Sequence, residues 1–388
     1  MTHSLSTAPA SADRSPRPPR PRPDLALLRA AGWDDGWHRH LDERAAADRP
    51  LAPGRVLRAD RGSCEVLLAA GAVQAQWSAP LGRSVTADPA QTPAAGDWVL
   101  VDPGATAGGL PATVLEVLPR RTAVVRLQVG KASHGQVLAA NADVVAVVEG
   151  LDPDPDTSRI ERLLALAWAS GATPAVVLTK ADLVPDVQAM VEEVTRCAPG
   201  CPVWAVCTHD GYGLAPLQAL LAGGSTIALL GASGVGKSTL LNVLAGQDLM
   251  HTQPLGAVGK GRHTTVTREL HLAPQGGALI DTPGMRSIGL SGAEDLDEVF
   301  PEVEALARRC RFDDCSHVVE PGCQVLAAVL DGSLPERRLT SYRKLLREQE
   351  FQASRVDARV AAQRAERWRQ IRSGARQRQR IEGRRGRP

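Results

Sequence analysis

The spacing of apolar residues changes several times along the chain, and each change marks a different kind of element. Between residues 24 and 41, Leu25, Leu27, Leu28, Trp33, Trp37 and Leu41 recur at near-helical spacing, which predicts a short amphipathic helix. From Gly54 to about Leu127 the apolar runs shorten to residues 55–57, 64–68, 98–101, 112–118 and 123–127, with Gly and Pro between them. Five such strands predict a small barrel of the OB-fold kind. Beyond it, strand and helix alternate: a strand at 144–148, a helix at 158–170, a strand at 175–178, a helix near 186–197 and a strand at 203–206. That alternation predicts a mostly parallel sheet covered by helices. Residues 301–349 read as helical but poor in apolar positions, and the rest is an Arg- and Gln-rich helix former that frays into Gly and Arg.

Composition narrows the class. A chain of 388 residues is longer than one hydrophobic core usually serves, so two or three domains are expected. The longest apolar runs are strand-sized, far short of the roughly 20 residues of a membrane span, which predicts a soluble protein without a membrane partner. Residues 1–23 are rich in Ser, Pro, Ala and Arg and lack the apolar core of a secretory signal, which predicts a disordered leader and a cytoplasmic location. The net charge of +2 conceals an asymmetry, because 15 Lys and Arg face 5 Asp and Glu from Ser341 onward. Seven cysteines, three of them between Cys310 and Cys323, favour metal binding over a disulfide framework.

The chemistry begins at Gly231-Ala232-Ser233-Gly234-Val235-Gly236-Lys237-Ser238, which follows an apolar strand and precedes a helix-like stretch starting at Thr239. This is the context of a phosphate-binding loop. Its glycines let backbone N–H groups face a β-phosphate, Lys237 reaches the β- and γ-oxygens, and the Ser238 hydroxyl binds Mg²⁺. The base is read elsewhere, at Thr179-Lys180-Ala181-Asp182, where a strand ends. The Asp182 carboxylate can accept from guanine N1–H and the exocyclic amine while the Lys180 stem covers the ring. A buried Asp182 would be left unpaired against adenine. Cys207-Thr208, after a further strand, suits backbone contacts with the guanine O6.

Asp281-Thr282-Pro283-Gly284 follows another apolar run, so that Asp281 can hold Mg²⁺ through water and the Gly284 N–H can meet the γ-phosphate. Between it and the phosphate loop lies Gly261-Arg262-His263-Thr264-Thr265, placed like a first switch; either Thr264 or Thr265 completes the metal shell. The residue after Gly284 is Met285 where many GTPases have glutamine, so intrinsic turnover should be slow and His263 is the nearest candidate to orient the attacking water. Cys310-x₄-Cys315-x-His317-x₅-Cys323 offers three thiolates and an imidazole, enough to close one tetrahedral Zn²⁺ site. With four protein ligands, that zinc is structural.

The motif order is guanine motif, Cys-Thr, phosphate loop, switch threonines and Asp-Thr-Pro-Gly, a circular permutation of the usual GTPase order. Permutation between an N-terminal barrel and a C-terminal cysteine cluster resembles the ribosome small subunit-dependent GTPase A family (RsgA, also called YjeQ). Residues 93–99, 118–122 and 136–141 resemble it too. Thr179 stands where the family more often has Asn, and Cys207 where it usually has Ser. The resemblance implies a GTPase of late small-subunit (30S) maturation, with GTP/GDP, Mg²⁺ and one structural Zn²⁺ as cofactors, 16S rRNA as a contact, subunit-stimulated turnover and release on hydrolysis, and a monomer. It also implies that His263 positions the water.

The expected organisation is multidomain. It comprises a disordered leader and short helix (1–50), an OB-fold RNA-binding β-barrel (51–130), a circularly permuted α/β P-loop GTPase domain (131–300), a helical zinc-binding module (301–349) and a basic helical tail (350–388). The alternatives are an ATP-dependent kinase or ATPase, against which Asp182 argues, and an RNA-binding nucleotide switch with little turnover, which Met285 makes conceivable.

Overall fold

A computed structural model describes residues 25–44, 51–104, 111–127, 135–247, 268–282 and 296–356. Near the N-terminus two short helices, α1 (Ala26–Ala30) and α2 (Asp35–Arg44), replace the single helix expected, because Gly32 at φ +93° turns the chain between them. Their apolar face, Leu28, Trp33, Trp37 and Leu41, packs on Trp98 and Leu100, with Trp33 edge-on to Trp98 at 4.9 Å.

The barrel is built from β1 (Ala52–Asp60), β2 (Ser63–Leu68), β3 (Gly71–Trp77), β4 (Trp98–Asp102) and β5 (Ala112–Val117), with α3 (Ala79–Ala87) between β3 and β4. The order β1-β2-β3-β5-β4 closes through a second β1–β4 pairing, and β3 and β5 run parallel. This is a closed five-stranded barrel of OB-fold topology. Its strand list differs from the sequence expectation in two places. Strand β3 went unseen because Gly71-Ala72-Val73-Gln74-Ala75-Gln76 carries mostly small or polar side chains. The run at 123–127 is β6 (Ala123–Leu127), which leaves the barrel to pair with β7 (Gly135–Ala140). The β1–β4 pairing closes the barrel without it.

The second sheet comprises β8 (Val144–Gly150), α4 (Thr157–Ala169), β9 (Thr173–Thr179), α5 (Val187–Cys197), β10 (Val203–Ala205), α6 (Ala215–Ala222), β11 (Thr226–Leu230), α7 (Lys237–Ala245), β12 (Glu269–Leu272) and β13 (Ala278–Asp281). Its order is β10-β9-β8-β11-β13-β12, parallel except for β12. Every residue of β8 and β11 is buried, as expected of central strands covered on both faces. Asp156 and Asp186 start α4 and α5 by accepting from the N–H groups of Arg159 and Ala189. One register pair, Arg58↔Glu269, joins β12 to β1, so the barrel and the parallel sheet form one continuous hydrogen-bonded surface.

Of the C-terminal helices α8 (Pro301–Ala307), α9 (Gln324–Leu330) and α10 (Glu336–Val356), α10 packs on α4, while α9 packs on α8 and α10. Phe300, Val303, Val325, Leu339 and Leu345 share a core with Leu163 and Leu166. A charge network crosses the same contact: Arg338 donates to Glu161 at 2.7 Å, to Glu302 at 2.6 Å and to the Val299 carbonyl at 2.8 Å. Among the described residues no helix is long and apolar enough to cross a membrane.

Candidate nucleotide site and metal centre

Four parallel strands, β8, β9, β11 and β13, end on the same side of the sheet, where open α/β sheets collect ligands. The loop from Gly231 to Gly236 joins β11 to α7, placing Lys237 and Ser238 in the first helical turn. Gly234 and Gly236 have φ of +85° and +94°, left-handed values that suit glycine. Gly231 passes so close to β8 that a Cβ there would lie 2.3 Å from the Val148 carbonyl oxygen. Val235 is buried, Ser238 half-buried, and Ser233, Gly234 and Thr239 are exposed on the solvent side, with Ala232 between. Lys237 is buried, and its Nζ donates to the Gly231 and Ala232 carbonyls at 2.9 and 2.6 Å.

Asp281 ends β13 and is also buried; its Oδ1 has no hydrogen-bond partner among the described residues. Burial raises its carboxyl and depresses the Lys237 ammonium, and each charge opposes the shift of the other. A buried carboxylate oxygen with a free lone pair beside the phosphate loop is the donor chemistry a hydrated Mg²⁺ requires. Thr282 holds the end of β13 against β11 through its hydroxyl, which donates to the Leu229 carbonyl at 2.6 Å.

On the base side, Lys180 takes φ +62° and its ammonium donates to the Asp152 carbonyl at 2.6 Å. The Thr179 hydroxyl faces two carbonyls, that of Val235 in the phosphate loop and that of Glu149 at 3.2 Å, so the guanine motif and the phosphate loop are in direct contact. Asp182 is exposed, which corrects the picture of a buried carboxylate. Cys207 lies beside it. Burial, then hydrogen bonds to the Asp210 and Asp182 carboxylates, push the Cys207 thiol up, against the backbone N–H groups of Asp210 and His209. The next residue, Thr208, is half-buried. Gly213, at φ +72°, closes this loop where a Cβ would sit 1.9 Å from the Ala205 carbonyl.

His263, Thr264, Thr265, Gly284 and Met285 lie outside the described residues, as do the arginines of the tail beyond residue 356. Glu149 escaped the sequence argument. It is a charged residue closing the apolar run 144–148, and that contrast was the available signal.

At the other end of the chain the ligand atoms of Cys310, Cys315, His317 and Cys323 all lie within 4.8 Å of one another. Cys310 and Cys323 sulfurs are 3.9 Å apart, and His317 Nδ1 lies 3.7 and 3.5 Å from them. Tetrahedral zinc with ordinary bond lengths places ligands about 3.6–3.8 Å apart, so Cys310, His317 and Cys323 fit the ion and Cys315, within 4.8 Å of all three, supplies the fourth donor. His317 reaches its place from the left-handed region at φ +55°, and Glu320 ties the loop by accepting from the N–H groups of Ser316, Val318 and Val319.

Comparison with known proteins bears on the same residues. A family model described as RsgA GTPase matches residues 117–291. The small ribosomal subunit biogenesis GTPase RsgA of Streptomyces coelicolor is 50% identical over 343 residues, covering 87% of this chain and 91% of the relative. This chain belongs to the RsgA GTPase family. The RsgA protein of Streptomyces avermitilis is 47% identical across 99% of both chains. Among solved structures, YjeQ from Thermotoga maritima is similar at a TM-score of 0.55 and 25% identity, over 77% of this chain and 99% of that one. YloQ, described as a circularly permuted GTPase, is similar at a TM-score of 0.54 and 25% identity, over 79% of this chain and 97% of that one. The permutation read from motif order is therefore the family's own architecture, and RsgA membership makes this chain a GTPase, a hydrolase, that uses GTP, GDP and Mg²⁺.

Proposed function

We propose that this protein hydrolyses GTP to GDP and phosphate during late maturation of the small (30S) ribosomal subunit, contacting 16S rRNA, and is released after hydrolysis. The observation that supports this best is the direct contact between Thr179 and the phosphate loop, which unites base reading and phosphate binding in permuted order. The relatives' names supply the ribosomal context.

In this reading Asp182, with Lys180 and the Cys207-Thr208 backbone, selects guanine. The Gly231–Gly236 N–H groups cradle the phosphates, and Lys237 exchanges its two loop carbonyls for β- and γ-oxygens. Mg²⁺, when bound, neutralises phosphate charge; Ser238, Asp281 and either Thr264 or Thr265 are the residues that would hold it. Gly284 meets the γ-phosphate, and His263 orients the water. The Cys310, Cys315, His317 and Cys323 set holds one structural zinc, and the protein acts as a cytoplasmic monomer.

Multiple-turnover phosphate release, measured with and without purified small subunits, tests the reading. Acceleration by subunits is expected; equal rates would overturn the ribosomal role, and no turnover in either condition would leave a nucleotide switch. For His263→Ala, unchanged stimulated turnover with intact GTP binding would remove His263 from the mechanism.

A further inference from the structure

The last two residues of β8 touch both halves of the nucleotide site without belonging to any nucleotide motif. The Glu149 carbonyl lies 3.2 Å from the Thr179 hydroxyl, which also bonds the phosphate loop at Val235. Gly150 lies under the guanine-motif lysine: a Cβ on it would be 3.5 Å from Lys180 Nζ and 3.7 Å from Cδ. The chain then continues to Asp152, whose carbonyl accepts the Lys180 ammonium. The end of β8 is therefore the floor on which Thr179 and Lys180 stand.

That floor is held by a charge pair. Glu149 is 3% exposed, the one ionisable residue in the strand Val144–Gly150. A carboxylate there is costly unless it is paired. Arg159, in the first turn of α4, engages it with a planar fork: Nε to Oε2 at 2.7 Å and Nη2 to Oε1 at 2.9 Å. Such bidentate geometry fixes direction as well as distance. Glu149 Oε1 also accepts the Gly150 N–H at 3.3 Å, which couples the carboxylate to the peptide beneath Lys180. Arg159 is itself oriented by Asp156, the α4 N-cap, whose carboxylate lies 3.5 Å from Nη1. The Glu149 charge also supports the buried Lys237 ammonium across the site.

We propose that Glu149 and Arg159 are a positioning pair for guanine-nucleotide binding, setting the β8 end so that Thr179 and Lys180 stand correctly against base and phosphate loop. The proposal rests on the guanine-nucleotide reading of the site. Neither side chain is assigned a contact with the nucleotide, so the pair acts through Thr179, Lys180 and Lys237.

The test measures binding of GDP and of inosine diphosphate, which lacks the exocyclic amine, to the full chain carrying Glu149→Gln or Arg159→Lys. Wild-type protein is expected to bind GDP and to prefer it over inosine diphosphate. Losing the charged fork in Glu149→Gln should raise the GDP Kd about tenfold, the worth of one charge-assisted hydrogen bond. The preference for GDP should narrow, and subunit-stimulated turnover should show KM rising well beyond any fall in kcat. Arg159→Lys, which keeps the charge and loses the fork, should fall between the two proteins. Because the Arg159 head is 35% exposed, this variant carries the test should Glu149→Gln fold poorly. If both variants keep wild-type Kd and base preference within twofold while melting earlier, the pair is a fold staple and the proposal fails. If wild-type protein does not bind GDP, the reading of the site itself is wrong.

Discussion

Replacing Arg338 with Met tests how firmly the C-terminal module is attached to the GTPase sheet. The guanidinium is almost completely buried, stacks over Phe300 at 4.4 Å, and donates to Glu161, which has no solvent exposure. Its removal leaves the Glu161 carboxylate buried with Arg337 alone, at 3.3 Å and 41% exposed, and strips the Val299 carbonyl of its donor. Breaking a buried pair from one side costs about 3–5 kcal/mol. For a cooperative unit of this size each kcal/mol shifts Tm by about 2–4 °C, so a fall of roughly 6–20 °C is expected. The companion variant Glu161→Leu with Arg338→Met removes both charges and should recover most of that loss. The carbonyls left without donors keep a residual cost of roughly 1–3 kcal/mol. Thermal melts of the three full-length proteins decide it. A single variant that melts within 2 °C of wild type, or a double variant no better than the single, would refute the claim that this charge pair fastens the module to α4.

Three further outcomes follow from the site. Cys315→Ser should reduce bound zinc from one per chain to near zero by elemental analysis and open the loop between Cys310 and Cys323 to protease, since structural zinc supplies about 10 kcal/mol or more to such sites. Asp281→Asn should raise the Tm of nucleotide-free protein while weakening Mg²⁺-dependent GTP binding. The sign comes from burial, which lifts this carboxyl above its ordinary 3.8, so the ionised form opposes folding as pH rises through and above that range, and the gain should vanish below it. Thr179→Asn should tighten GDP binding several-fold by competitive titration, because the threonine hydroxyl has one proton for the Val235 and Glu149 carbonyls while an amide NH₂ can serve both; weaker binding would show that the space beside Gly236 cannot take the larger group.

How much of this was visible before the chain was folded depends on the range of the interaction. The phosphate-loop sequence, Thr179–Asp182, Asp281 and the Cys310, Cys315, His317 and Cys323 set could be picked out of the sequence because each is a pattern of residue types at short spacing, and the structure does gather the cysteines and the histidine into one cluster. Their order along the chain was equally plain, and it already implied the permuted sheet. Where side chains are small or half polar, period says little, and so β3 went unseen and β6 was counted into the barrel. Tertiary structure alone decided those pairings, because strand partners are chosen by closure and burial between segments far apart in sequence. It also decided that the Thr179 hydroxyl meets the phosphate loop, that Asp281 keeps a buried oxygen free, and that Glu149 and Arg338 find their charged partners. A lone Glu or Arg in a sequence carries no mark of burial; only the packing around it makes its charge expensive, and therefore makes its partner matter.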